Sequence, residues 1–323
     1  MDKVRNTSTE LDVVVIGHII IETIVFPDGS ILTPVLGSPA AYSSVAMARL
    51  GNKVGLCTKV GSDMPPKLMN VFKEAGVDLE GVKTIGKYST RNRLIYVSME
   101  QKRVEYINKA PSFSISDLPK SYLSPSLFYI CPMDFEVPPE MLEELVKTGK
   151  PIFVDLGGYG GATSSIHQFG DESKLIYLER ILRSSTVIKG SFEDCGLILG
   201  KVYSSAPAPE VAYAEKLMTL GAKSVLITLG SRGVYFHNCG GGSYFQPFRC
   251  EAIDTTGAGD VFCAGLISEY IKTGKIEEAI LFGEAVACMV IEKSGGVKAE
   301  RMPTREEVEN FIKARHPLQY KEV

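Results

Sequence analysis

The stretch Ile253-Asp254-Thr255-Thr256-Gly257-Ala258-Gly259-Asp260-Val261-Phe262 joins a run of small residues to an apolar periodic segment. Small residues at 257–259 bury little and cost entropy in a packed strand, so the run does not belong to a sheet interior. Beyond it, Phe262, Leu266, Ile267, Tyr270 and Ile271 keep helical spacing until Gly274. The run therefore opens a helix, where unpaired N–H groups and the positive end of the helix dipole suit an anion such as a phosphate. Asp260 falls in the first turn. A carboxylate is repelled by a bound phosphate, so its chemistry there is to accept a proton from a hydroxyl aligned with that phosphate. The competing reading is that Asp260 only complements the dipole, worth about 0.3–1 kcal/mol. These residues alone leave both readings open.

Outward from this stretch, short apolar runs alternate with helical patterns. The runs are 13–16, 127–130, 151–154, 186–188 and 225–228, each nearly continuous in apolar character, as strands of a parallel sheet covered on both faces should be. Helices are expected over 40–50 up to Gly51, over 139–148 after a Pro-Pro pair, and over 208–220 up to Gly221. The alternation predicts an α/β layered fold with right-handed crossovers, read as one domain over 1–323. Residues 19–36 and 91–108 break the pattern. Each alternates apolar and polar residues around a polar turn (Pro27-Asp28-Gly29-Ser30 and Glu100-Gln101-Lys102), as hairpins with one solvated face do. Together they are expected to form a small sheet that serves as a lid.

The chain has 323 residues and a net charge of −3, which gives no bulk attraction to nucleic acid or anionic membranes. No apolar run is long enough to span a membrane, and the polar first residues lack the apolar stretch of a signal peptide. Seven cysteines without a Cys-x-x-Cys pair point to reduced, mostly buried thiols in a cytoplasmic protein. The histidines at 18, 167, 237 and 316 have no metal-ligand spacing and read as core or solvated residues. Neither Gly-x-Gly-x-x-Gly after the first strand nor a Gly-x-x-x-x-Gly-Lys-Ser/Thr motif occurs, which argues against dinucleotide and P-loop chemistry.

Asp254-Thr255-Thr256-Gly257-Ala258-Gly259-Asp260 resembles the C-terminal signature of the ribokinase-like (PfkB) carbohydrate kinases, and other stretches fit that family in order. Gly37-Ser38-Pro39-Ala40-Ala41 through Gly51 is similar to its substrate loop and helix. Thr228-Leu229-Gly230-Ser231-Arg232-Gly233 is similar to its nucleotide-side turn, and Gly283 to Gly295 to its adenine-side helix. The resemblance implies a three-layer fold with a mostly parallel central sheet flanked by helices and a small β-sheet lid. It implies ATP-dependent phosphorylation of a hydroxyl on a small sugar or polyol. Gly257, Ala258 and Gly259 would form the anion hole and Asp260 would be the base. Thr228, Gly230, Gly233 and Ser191 would lie along ATP. A monovalent cation, K⁺, would sit at Asp254, Thr256, Val290 and Gly295. Pairing of lid edges would give a homodimer.

The chain departs from the family pattern at several points. Glu22 stands where an Asp is usual, Gly37-Ser38 replaces a Gly-Gly pair, and Tyr42 replaces an asparagine that holds a sugar hydroxyl. Ser191-Phe192-Glu193-Asp194 occupies the place of the magnesium-associated Asn-x-x-Glu, which leaves Asp194 as the Mg²⁺-side carboxylate with Glu193 beside it. The acceptor is expected at Glu22, Gly37, Ser38 and Tyr42, with Arg93 on the lid side. The loop from Asp155 to Gly161 lacks Pro-Asn-x-Arg and, with Tyr42, resembles the inositol-kinase branch. The alternatives are a nucleoside kinase of the same fold, favoured by Tyr42 and Tyr159, and a kinase-like binding protein without turnover.

Overall fold

Alternate residues of the first strand, β1 (Val13–Ile16), belong to two different apolar cores: Val13 and Val15 to one, Val14 and Ile16 to the other. That is the consequence of a two-residue side-chain period in a sheet covered on both faces. A computed structural model describes residues 10–96, 102–166, 172–200 and 206–315. Around β1, parallel strands β4 (Val54–Val60), β8 (Leu127–Ile130), β9 (Ile152–Asp155), β10 (Val187–Ser191) and β11 (Ser224–Thr228) build the sheet. The short β5 (Val82–Thr84) closes one edge, and the antiparallel β12 (Val234–Asn238) and β13 (Gly241–Phe245) close the other. The order is β13-β12-β11-β10-β9-β8-β1-β4-β5.

One face is covered by α1 (Pro39–Arg49), α2 (Pro66–Ala75), α7 (Ala258–Thr273) and α8 (Ile276–Ile291), through side chains such as Val45, Phe72, Leu266 and Val286. The other carries α3 (Pro139–Val146), α4 (Glu172–Ser184), α5 (Phe192–Leu199) and α6 (Pro209–Thr219), through Leu142, Leu178, Ile198 and Leu217. A further helix, α9 (Arg305–Ala314), follows. The expected three layers are present. Helices α7 and α8 cross closely because a Cβ on Gly265 would lie 2.9 Å from the Gly283 Cα.

The two alternating segments pair into a single sheet of four strands: β3 (Ile31–Gly37), β2 (Ile20–Val25), β6 (Arg91–Tyr96) and β7 (Lys102–Asn108), in that order. The first turn closes as expected, with the Phe26 N–H donating to Ser30 O at 2.9 Å. Glu100 and Gln101 of the second turn lie outside the described residues, and Lys102 opens β7.

Two expectations need correction. Strand β4 is not announced by a continuous apolar run, because Thr58 and Lys59 interrupt it. Both are buried, and Lys59 Nζ is neutralised by Asp117 Oδ2 at 2.7 Å. Cys250 and Cys288, 38 residues apart, are bonded as a disulfide rather than reduced, since the fold lays the segment before α7 against α8. Cys57, Cys131, Cys195 and Cys263 are free and buried, and Cys239 is free and exposed.

Candidate active site

The glycine run caps α7. Gly257 is the N-cap residue at φ 80°, a left-handed conformation that glycine adopts without a Cβ penalty. A Cβ there would strike the ring of Tyr42, which packs 2.5 Å from that position. The Ala258 N–H donates to Thr255 O (3.1 Å) and the Asp260 N–H to Gly257 O (3.0 Å). Among the described residues, the Gly257 and Gly259 N–H groups make no such backbone bond. Of the three expected anion-hole donors, Ala258 is thus engaged by its own turn. Asp260 is the third residue of the helix, and the Ser43 hydroxyl donates to its carbonyl at 2.9 Å, tying α7 to α1.

A cleft of about 410 Å³ opens over this helix start. Its floor is Thr255 to Asp260, its wall Gly37, Ser38, Pro39 and Tyr42, and its roof the lid. From the lid come Ile20, Glu22, Asn92, Leu94 and Tyr96. Glu22, Gly37, Ser38 and Tyr42, the residues expected at the acceptor, thus line one cleft. Ser38 is the N-cap of α1 at φ 111°, and its hydroxyl accepts the Ala41 N–H at 3.1 Å. That φ is one a glycine adopts without strain, which explains a Gly-Gly pattern at this point.

Arg93 is on the wrong face. The inward residues of β6 are Asn92, Leu94 and Tyr96, so the period of two turns Arg93 outward, where it is exposed. The sequence reading missed Asn92 and Thr163. Both line the cleft, and Asn92 Oδ1 and Thr163 Oγ1 are buried with no hydrogen-bond partner among the described residues. Buried polar atoms in that state fit a polar ligand. Tyr159 does not reach the cleft: it is fully buried, and its hydroxyl donates to Val137 O at 2.6 Å. Of the histidines, His18 is a core residue, its ring nitrogens 2.9 Å from Thr90 Oγ1 and 3.2 Å from Pro111 O, and burial lowers its pKa. His237 is half-buried beside the Tyr235 hydroxyl, whereas His167 and His316 lie outside the described residues.

Ser191 and Thr228 end neighbouring parallel strands in register, at the carboxyl edge of the sheet where α/β folds hold ligands. Gly230 (φ 61°) and Gly233 (φ 84°) shape the tight turn after β11. Ser191 and Asp194 form a reciprocal capping box on α5: the serine hydroxyl accepts the Asp194 N–H (3.0 Å), and Asp194 Oδ2 accepts the Ser191 N–H (2.8 Å). Asp194 Oδ1 accepts the Ala162 N–H (2.8 Å), so both its oxygens are engaged by backbone, and Glu193 is the exposed carboxylate of this turn. No cluster of three or more His, Cys, Asp or Glu side chains able to hold a metal occurs among the described residues.

Behind the start of α7 lies a buried ion pair that no sequence motif announces. Lys189 Nζ is 2.9 Å from Asp155 Oδ2 and 3.1 Å from where a Cβ on Gly259 would sit. Burial pulls the Lys189 pKa down, but the Asp155 carboxylate outweighs it and holds the ammonium charged. A lysine in the middle of the buried strand β10 was the available signal. Asp254 holds the loop before the helix: its Oδ1 accepts the Thr256 N–H at 2.9 Å. Burial raises the Asp254 pKa, while the Thr256 bonds and the Arg301 guanidinium carry it below the usual carboxylate range.

The description "pfkB family carbohydrate kinase" matches residues 10–304. A cytidine kinase from Thermococcus kodakarensis is 29% identical over 306 residues, spanning 88% of this chain and 98% of that protein. Arabidopsis thaliana ribokinase, solved with ribose and ATP, superposes with a TM-score of 0.75 at 19% identity and covers 94% of this chain and 99% of its own. A pyrophosphate-dependent kinase of the ribokinase family, solved with a pyrophosphate analogue and myo-inositol, gives 0.71 at 20% identity, covering 90% and 98%. No described helix is long and apolar enough to cross a membrane.

Proposed function

The chain belongs to the pfkB family of carbohydrate kinases, and from that premise we propose that it transfers a phosphoryl group from ATP to a hydroxyl of a small sugar or polyol in the cleft over α7. The observation that carries this reading is one shared cleft: Asp260 and the glycine-capped helix start face the same space as Glu22 and Asn92. An acceptor hydroxyl in that space lies between a proton acceptor and an anion site, the geometry that in-line phosphoryl transfer requires.

Glu22 and Asn92 hold the acceptor's other hydroxyls, with Thr163 adding a further polar contact. Asp260 takes the proton as the new P–O bond forms and the bond from the γ-phosphorus to the departing ADP oxygen breaks. The Gly257 and Gly259 N–H groups, with Lys189 behind them, stabilise the charge on the phosphoryl oxygens. Ser191, Thr228, Gly230 and Gly233 border the donor, and the whole chain, lid included, acts as one kinase unit. Mg²⁺ would be brought in with the donor phosphates. Asp194 is committed to backbone, so Glu193 and waters on this turn are the groups that would hold the ion, consistent with magnesium's habit of keeping several waters. The bound ion would neutralise charge between the phosphates.

A second reading, a nucleoside acceptor, is favoured by the likeness to the cytidine kinase and by Tyr96, which lines the cleft and stacks on Phe26 at 6.1 Å. The exposed Ile31 and Leu32 on the lid-edge strand β3 support a homodimer paired through that edge. An ATP-consumption screen over pentoses, hexoses, inositols and nucleosides, repeated with pyrophosphate as donor, separates these readings. Turnover of a sugar or inositol with ATP is expected. Turnover restricted to nucleosides would move the assignment to the second reading, and none with any acceptor would overturn the enzyme.

A further inference from the structure

The side chain of Arg301 is buried to 1% exposure, and its guanidinium is wrapped in backbone carbonyls directly behind the anion hole. Nε donates to Lys293 O (2.9 Å) and Val290 O (3.3 Å). One terminal nitrogen donates to Thr256 O (3.1 Å) and Gly296 O (3.4 Å), and the other to Asp254 O (2.7 Å). Asp254 Oδ2, 3.5 Å away, supplies the balancing charge. One planar cation thus joins the segment that enters the anion hole at Gly257 to the end of α8 and the loop after it.

Three of the four positions that the family resemblance assigns to a monovalent cation, Asp254, Thr256 and Val290, give their carbonyl oxygens to this guanidinium. The fourth, Gly295, donates its N–H to Asp254 Oδ2 at 3.4 Å and precedes Gly296. We infer that Arg301 is a built-in cation: it fixes the 254–257 loop so that the helix-start N–H groups aim at the transferred phosphoryl group, and no K⁺ is needed. A guanidinium stays protonated throughout the working pH range and presents five donors in a rigid fork, which suits a ring of carbonyls. Arg301 touches no substrate, so it is a positioning residue. The sequence reading could not find it, since nothing local marks an arginine that reaches back across the fold.

This inference rests on the kinase reading, and the experiment keeps the two apart. Turnover of the wild type with Mg·ATP is measured at constant ionic strength in K⁺, Na⁺ and tetramethylammonium, beside Arg301→Ala in the same salts and in low-millimolar guanidinium. Wild-type turnover is expected to be the same in all three salts. Loss of a well-aimed anion-hole donor costs about 10²–10³-fold in turnover, so the folded Ala variant should lose up to that factor with its acceptor KM little changed. Guanidinium or K⁺ should restore part of the loss, which a merely structural role would not allow. Activation of the wild type by K⁺, or an Ala variant with wild-type turnover in tetramethylammonium, overturns the inference. Should the Ala variant fail to fold, Arg301→Lys takes its place; it keeps the charge without the fork and should turn over more slowly, and unchanged turnover refutes the fork. If the wild type turns over no acceptor, the kinase reading falls by itself. ATP affinity by calorimetry in K⁺ and in tetramethylammonium then decides, equal values supporting the built-in cation and a K⁺-dependent affinity contradicting it.

Discussion

Replacing Lys189 by Met, alone and with Asp155→Asn, separates what the buried pair does for the fold from what it does for the phosphate. The two residues are register partners on adjacent parallel strands, 8% and 5% exposed at the side chain, with Nζ and Oδ2 2.9 Å apart. Lys189→Met leaves the Asp155 carboxylate buried without its counter-ion, which costs about 3–5 kcal/mol. The double variant removes both charges, while the asparagine Oδ1 can still accept the Gly157 N–H that Asp155 now holds at 2.8 Å. Its stability should return to within about 1 kcal/mol of wild type, since removing a whole buried pair is often close to neutral. Turnover should not return. An ammonium about 6 Å from an anion at an effective dielectric of 20 contributes about 3 kcal/mol, and Asp155 offsets part of it, leaving roughly ten- to a hundredfold. Urea unfolding and steady-state kinetics with ATP read the two effects. A double variant as unstable as the single one would refute the ion-pair account, and turnover that recovers together with stability would refute a role at the phosphate.

Glu22→Ala and Asn92→Ala should each weaken the acceptor by roughly 1–3 kcal/mol, read as a higher acceptor KM with the ATP KM unchanged, and an unchanged acceptor KM would place the acceptor elsewhere. Ser38→Gly relieves a positive-φ conformation worth about 1–3 kcal/mol but gives up a serine cap for a glycine one, a loss of a few tenths, so its melting temperature should match or exceed that of wild type. Burial pushes the Glu284 carboxyl from 4.5 up to about 8. The folded state therefore binds a proton that the unfolded state releases, and stability is lost as pH rises from 4.5 through 8. Glu284→Gln should gain about 1–3 kcal/mol over wild type near pH 8 and almost nothing near pH 4.5, and a gain independent of pH would refute the buried-carboxyl account.

The strands read as continuous apolar runs were legible because a doubly covered sheet imposes that pattern, and β1 and β8 match their expected bounds. The lid was legible from its period of two, yet the same period hid the right side chain: the charge on Arg93 drew attention one residue away from Asn92, which faces inward. Strand β4 was illegible because its Lys59 is neutralised by Asp117 and its Thr58 hydroxyl accepts the Ile19 N–H, both partners distant in sequence. The glycine cap of α7 and the place of Asp260 in its first turn could be read locally, since a helix start needs only neighbouring residues. Lys189, Thr163, Arg301 and the Cys250–Cys288 bond depend on segments that only the finished fold brings together.

The most direct test of the account is the turnover of Asp260→Asn with its true acceptor. The substitution keeps the shape of the side chain and removes the proton acceptor. Folding and ATP binding should be nearly intact, because the helix-dipole contribution of the carboxylate is only about 0.3–1 kcal/mol. Loss of general-base help should lower turnover by about two to four decades. An Asp260→Asn enzyme that turns over at the wild-type rate would contradict the account, since the carboxylate at the start of α7 would then serve the helix and not the reaction.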